Sequence, residues 1–135
     1  MFLSFLFFFN RQLFYSFPWR NIDIRSQNPK TVASKVALIS SRMGSISDNG
    51  SGASYGYRMS KAALNAAGMS LANDLKHRGI AVGLLHPGFV KTTLVDNQGD
   101  IDTTEAARRL EQRIEELTLD ITGSFRHSNG QTLPW

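Results

Sequence analysis

The chain has 135 residues, 41% of them hydrophobic, with 15 basic and 11 acidic side chains that leave a net charge of +4, and it has no cysteine. That length and apolar content suit one globular domain with a modest core. The missing cysteines exclude disulfide scaffolds, thiolate catalysis and cysteine-ligated zinc, and the basic residues are scattered instead of forming the stripe that nucleic-acid binding requires.

The run from Met1 to Phe9 is the one compositional oddity. It is too short to span a bilayer as a helix, and Arg11 follows the apolar run instead of preceding it, against the pattern of a signal peptide. Residues 1 to 30 carry no sustained helical or strand period. They read as sequence that does not belong to the fold, from an abnormal start or a truncated gene model; a short membrane-surface anchor and a poor signal sequence are the alternatives. Residues 1–34 are therefore set apart from a domain over 35–135, and a cytoplasmic protein is expected.

Lys35 to Ser41 reads as a strand apolar on both sides, as the middle of a parallel sheet demands. Residues 42–54 are a loop rich in Gly, Ser, Asp and Asn. A helix begins near Ser54 or Tyr55 and runs to about His77, with Ala62, Ala63, Leu64, Ala66 and Ala67 as good formers and Gly79 as its stop. Ile80 to Leu85 is the next apolar strand, and the short connection through Arg78-Gly79 makes a strand-helix-strand unit, hence a parallel sheet. Residues 89–102 have turn character. Thr103 to Leu119 reads as a second helix with Thr103 or Thr104 as N-cap and Ala106, Leu110, Ile114 and Leu117 on one stripe. Asn129-Gly130, between Gly123–Arg126 and Thr132–Pro134, is a tight-turn signal.

Tyr57 and Lys61 carry the chemistry. Four residues apart on a helix, their side chains share one face about 6 Å apart along the axis. A cation so placed favours the deprotonated form of a phenol, whose ordinary pKa is about 10, and makes it usable as a proton donor to a carbonyl. Ser41, at the end of the first strand, would supply a second hydrogen bond to the reacting oxygen; Ser40 beside it could be confused with it. Tyr55 is a decoy, because Met59 and not a cation lies four residues on. Gly88, after Pro87, permits close backbone approach at a strand's C-terminal end, where open parallel sheets bind ligands.

Val36-Ala37-Leu38-Ile39-Ser40-Ser41-Arg42-Met43-Gly44-Ser45, Tyr57-Arg58-Met59-Ser60-Lys61-Ala62-Ala63-Leu64-Asn65 and His86-Pro87-Gly88-Phe89-Val90-Lys91-Thr92 stand in that order. Together they resemble the C-terminal half of a short-chain dehydrogenase/reductase, most closely the C-factor or sniffer-type carbonyl reductase branch, which the ending Asn129-Gly130-Gln131-Thr132-Leu133-Pro134-Trp135 also matches. The likeness covers about residues 35–135. It implies an α/β fold, the C-terminal half of a Rossmann-like doubly wound parallel sheet, and an NAD- or NADP-dependent enzyme acting on a small carbonyl or secondary alcohol. By resemblance Ser41, Tyr57 and Lys61 are catalytic. Tyr57, Lys61, Pro87, Gly88, Val90 and Thr92 would meet the cofactor, Lys61 at its ribose hydroxyls and Thr92 near its phosphates. Ser41 and Tyr57 lie a few residues further apart than the commonest family spacing, the extra length falling between Asp48 and Ser54.

The family's Gly-rich phosphate turn precedes these motifs, whereas the first glycine here is Gly44. Weak dinucleotide binding is therefore expected of this chain. Its fourth catalytic member, an asparagine, has no match among Asn10, Asn21 and Asn28. The rival expectation is a catalytically inactive module that pairs with itself or with relatives through the 55–77 helix, an interface helix in the family. Gly50, Gly52 and Gly56 read as a flexible loop, and His77, His86 and His127 as ordinary surface or core residues without a partner at metal-ligand spacing.

Overall fold

The β1–α1–β2 unit forms where the strand-helix-strand pattern places it. In the computed structural model, which describes residues 32–135, β1 spans Ser34–Ile39, α1 Tyr55–Lys76, β2 Ile80–His86, α2 Thr103–Glu115 and β3 Ser124–His127. Readings of the apolar opening and of residues 1–31 fall outside the described residues. Short 3-10 turns lie at Arg42–Gly44 and Thr93–Val95.

The three strands form one parallel sheet in the order β1-β2-β3. Val36 lies opposite Val82, and Leu84 opposite Phe125. This is the α/β architecture expected from the sequence. Every residue of β2 but its last is buried, as the centre of a sheet covered on both faces requires.

Alternation along β2 divides the core. Val82 and Leu84 join Leu38, Phe125 and the α1 residues Leu64, Ala72 and Leu75 on one face. Ala81 meets Leu117 and Leu119 on the other. Gly68 lets α1 sit low on the sheet, since a Cβ there would lie 2.7 Å from Leu38 Cδ1 and 2.8 Å from Leu84 Cδ2.

Several boundaries differ from the sequence reading. β1 ends at Ile39 because Ser41 leaves the ladder to cap the Arg42–Gly44 turn, its Oγ accepting from Met43 N. The N-cap of α2 is Asp102, whose side chain accepts from Glu105 N, so Thr103 opens the helix instead of capping it. That helix stops at Glu115, and Leu117 packs beneath the sheet from the turn that follows.

The tail holds the largest difference. The Asn129-Gly130 turn forms, and Arg126 bridges Thr132 in antiparallel sense, yet Ser124–His127 also joins β2 as a third parallel strand. Its four residues are too few to announce a strand by periodicity. Leu133 N donates to Phe125 O, and Trp135 stacks on the Phe125 ring at 5.4 Å, so the last residues cover the end of the core.

Candidate active site

β1 delivers its last residues to the N-terminal half of α1. Lys61 Nζ donates to Ile39 O at 3.1 Å and stands 5.7 Å from the centroid of the Tyr57 ring, within cation–π reach. One ammonium thus joins the end of the serine-bearing strand to the tyrosine. Half-burial pushes the Lys61 pKa down by desolvation. Ser41 is buried and its oxygen accepts from Met43 N at 3.2 Å, which leaves its O–H to donate. Ser40, the neighbour that could be confused with it, instead donates to Asn65 Oδ1 at 2.5 Å.

Close packing holds this corner together. A Cβ on Gly44 would fall 2.7 Å from the carbonyl carbon of Lys61, so the turn after Ser41 touches the α1 backbone at the lysine itself. The entry to α1 is strained: Ala53 and Ser54 have φ of 56° and 51°, and Ser54 makes no side-chain cap. Arg58, next to Tyr57, compensates by donating from Nε to the Gly52 and Ala53 carbonyls and from Nη2 to Ser51 Oγ. Arg42 pairs with Asp48, and that hydrogen bond is the main reason the Asp48 carboxyl lies below its usual range. The segment read as a flexible loop is therefore tied down by two arginines. Gly56 belongs to the first turn of α1, away from Gly50 and Gly52.

β2 ends in His86, followed by Pro87 and Gly88, the latter with φ of 98°, a conformation that favours glycine. Val90 bridges Ile101, and Lys91 N donates to Ile101 O, which closes the following segment on itself. Thr92 caps the turn Thr93–Val95 through its backbone.

β3 braces this corner through contacts the sequence reading missed. Ser128, fully buried, donates from Oγ to Pro87 O at 2.7 Å and from its backbone N to His86 O at 2.8 Å. His127 sits edge-on to His86, centroids 4.9 Å apart, and its Cε1 lies 3.4 Å from where a Gly88 Cβ would be. Burial, then the neighbouring His127, Arg42 and Lys61, push the His86 pKa down to about 4. Burial also lowers that of His127, ahead of Arg109 and Arg42. Both rings are therefore neutral at neutral pH, and His127 Nδ1 accepts from Asn129 N. Each histidine closes its strand and the parallel register puts them side by side, so the pair was readable once Ser124–His127 was known to be a strand.

The structure thus gathers Ser41, Tyr57 and Lys61 at the junction of β1 and α1, and Pro87 and Gly88 at the end of the neighbouring strand. A nicotinamide and its ribose fit these residues: Gly88 leaves its backbone approachable, and the Lys61 ammonium has donors to spare beyond Ile39 O. A Gly-rich pyrophosphate turn is not found among the described residues.

The family described as enoyl-(acyl carrier protein) reductase matches residues 26–119. A 1-hydroxy-2-glutathionyl-2-methyl-3-butene dehydrogenase of a Rhodococcus species is 45% identical over 105 residues, which cover 75% of this chain and 46% of the relative. The C-signal protein of Myxococcus xanthus is 39% identical over 101 residues, covering 75% of this chain and 61% of its own length. Among solved structures, the carbonyl reductase Sniffer of D. melanogaster superposes with a TM-score of 0.74 at 37% identity, over 80% of this chain and 44% of that one. An NADPH-bound carbonyl reductase from chicken fatty liver gives 0.71 at 28% identity, over 78% and 45%. The chain spans about half the length of the curated relatives it matches.

Proposed function

Because the chain belongs to the short-chain dehydrogenase/reductase family, an oxidoreductase family, we propose that it carries the proton-delivering side of an NAD(P)-dependent enzyme that interconverts a small carbonyl and its alcohol. With its nicotinamide at Pro87, Gly88 and Val90 and its phosphates near Thr92, the cofactor would supply or accept the hydride. Tyr57 gives its hydroxyl proton to the oxygen of the substrate during reduction and takes it back during oxidation. Ser41 donates a hydrogen bond to the same oxygen. Lys61 sets a positive charge beside the Tyr57 ring and offers a further donor to the ribose hydroxyls. The observation that carries this reading is the Lys61 ammonium, held between Ile39 O and the Tyr57 ring. NADP is favoured by the NADP-bound carbonyl reductases among the structural neighbours.

Dinucleotide binding by this chain is weak, because the Gly-rich turn that would hold the pyrophosphate is not in its sequence. A cytoplasmic setting accords with the reading, and no helix among the described residues is long and apolar enough to cross a membrane. The test is a titration of NADH and NADPH fluorescence against the purified chain, continued at millimolar cofactor with an aldehyde or ketone. Saturable binding with one alcohol formed per dinucleotide oxidised is expected; absence of both overturns the reading.

One observation favours a second reading, a pairing module. Tyr55, Met59 and Met69 are exposed and, with Ala62 and Ala66, recur at helical spacing along one face of α1. Analytical ultracentrifugation decides whether the chain pairs with itself: a concentration-dependent dimer abolished by Met59→Glu supports self-pairing through α1, and a monomer at all concentrations excludes it.

A further inference from the structure

We propose that Asn65 is a positioning residue for the Ser41–Tyr57–Lys61 site, an inference that rests on the oxidoreductase reading above. Residues 57, 61 and 65 follow one another at i, i+4 spacing down one face of α1. The end of β1 runs beside them. Lys61 Nζ takes Ile39 O, and one turn later Asn65 Oδ1 accepts the Ser40 hydroxyl at 2.5 Å. The last residue of the strand and the one after it are thereby fixed to the helix that bears the tyrosine, immediately before the serine proposed to bond the substrate's oxygen.

The Asn65 amide is costly where it sits. Its residue is 4% exposed and Ser40 is 2% exposed. Asn65 Nδ2 is buried with no hydrogen-bond partner among the described residues. Burying an amide with one side unsatisfied is unfavourable, and an apolar side chain of the same shape would relieve it. Among the described residues, the bond to Ser40 is the one polar interaction that the side-chain amide gains, and its geometric effect falls on Ser41.

The two anchors also differ in kind. Lys61 is a long, flexible ammonium whose donors would be shared between Ile39 O and the ribose hydroxyls. Asn65 is a short, buried side chain that holds the strand end without that second duty. Ser41 then keeps its position through the reaction.

The experiment compares Ser40→Ala, Asn65→Leu, the double variant and Ser40→Thr in the full chain, recording kcat, KM for NADPH and thermal unfolding. Each single variant is expected to lose about tenfold in kcat, as small misplacements of reacting groups do, with KM for NADPH unchanged. The double variant should be no worse than either single one, and Ser40→Thr, which keeps the hydroxyl, should restore the rate. Additive losses, or a lowered Tm with unchanged kcat, would overturn the proposal. A parent chain without turnover defeats the oxidoreductase reading instead, and the positioning claim is then decided by amide hydrogen exchange at Gly44, whose N–H bonds Ser41 O at 2.8 Å. Faster exchange in Ser40→Ala supports the clamp; unchanged exchange overturns it.

Discussion

The β1–α1–β2 unit and the α2–β3 tail divide the work of this molecule differently. The first carries the groups proposed to face a substrate, Ser41, Tyr57 and Lys61, and presents them through local geometry: a strand end, a helix face, a tight turn. The second carries none of them. It supplies Phe125 to the core, Ser128 to the Pro87 carbonyl, and the His127 ring against His86. Substitutions in the first region should therefore alter rate, and those in the second should alter stability, with the junctions between them affecting both.

The largest stability effect should come from the tail. Phe125 is fully buried between Leu84 and Trp135, and Phe125→Ala should cost about 3–5 kcal/mol by leaving a cavity at the edge of the sheet. Denaturant unfolding measures it. If the division holds, the rate per folded molecule stays unchanged; a comparable loss of rate would break the comparison.

Gly44→Ala probes the opposite region. Its methyl would press on the Lys61 carbonyl, and overpacking of this kind costs about 1–3 kcal/mol. Relief requires the Arg42–Gly44 turn to move off α1, which carries Ser41 away from Tyr57. A larger proportional loss in kcat than in the folding constant is expected, measured by steady-state kinetics beside unfolding.

How much was legible in the sequence follows the same division. The Tyr57-to-Lys61 spacing and the Pro87-Gly88 break are local patterns, and both elements formed around them. The Asp102 cap was missed in favour of Thr103 and Thr104, because all three are good capping residues and only the chain's direction chooses among them. The bracing role of Ser128 and the pairing of His86 with His127 depend on a four-residue strand entering the sheet in parallel register, and no period of two can be seen over so short a run. Ser40 and Asn65 are 25 residues apart in the chain and meet only after α1 folds back on β1.

The smallest expected effect is a pH dependence at the junction. The folded His86 stays neutral down to about 4, whereas the unfolded side chain takes up its proton near 6.5. Across that window the unfolded state binds more protons, so this histidine's contribution to stability is complete above 6.5 and is lost as pH falls toward 4. Thermal unfolding of the parent should thus lose Tm faster than His86→Gln between those values. Parallel curves would mean that burial at the end of β2 does not hold the ring neutral.

The most direct trial of the central claim compares two tyrosines two residues apart on α1. Carbonyl reduction at millimolar NADPH should fall at least about a hundredfold in Tyr57→Phe, the loss typical of a removed proton donor, and stay unchanged in Tyr55→Phe. Equal rates for the two variants would contradict the assignment of Tyr57 as the group that protonates the substrate's oxygen.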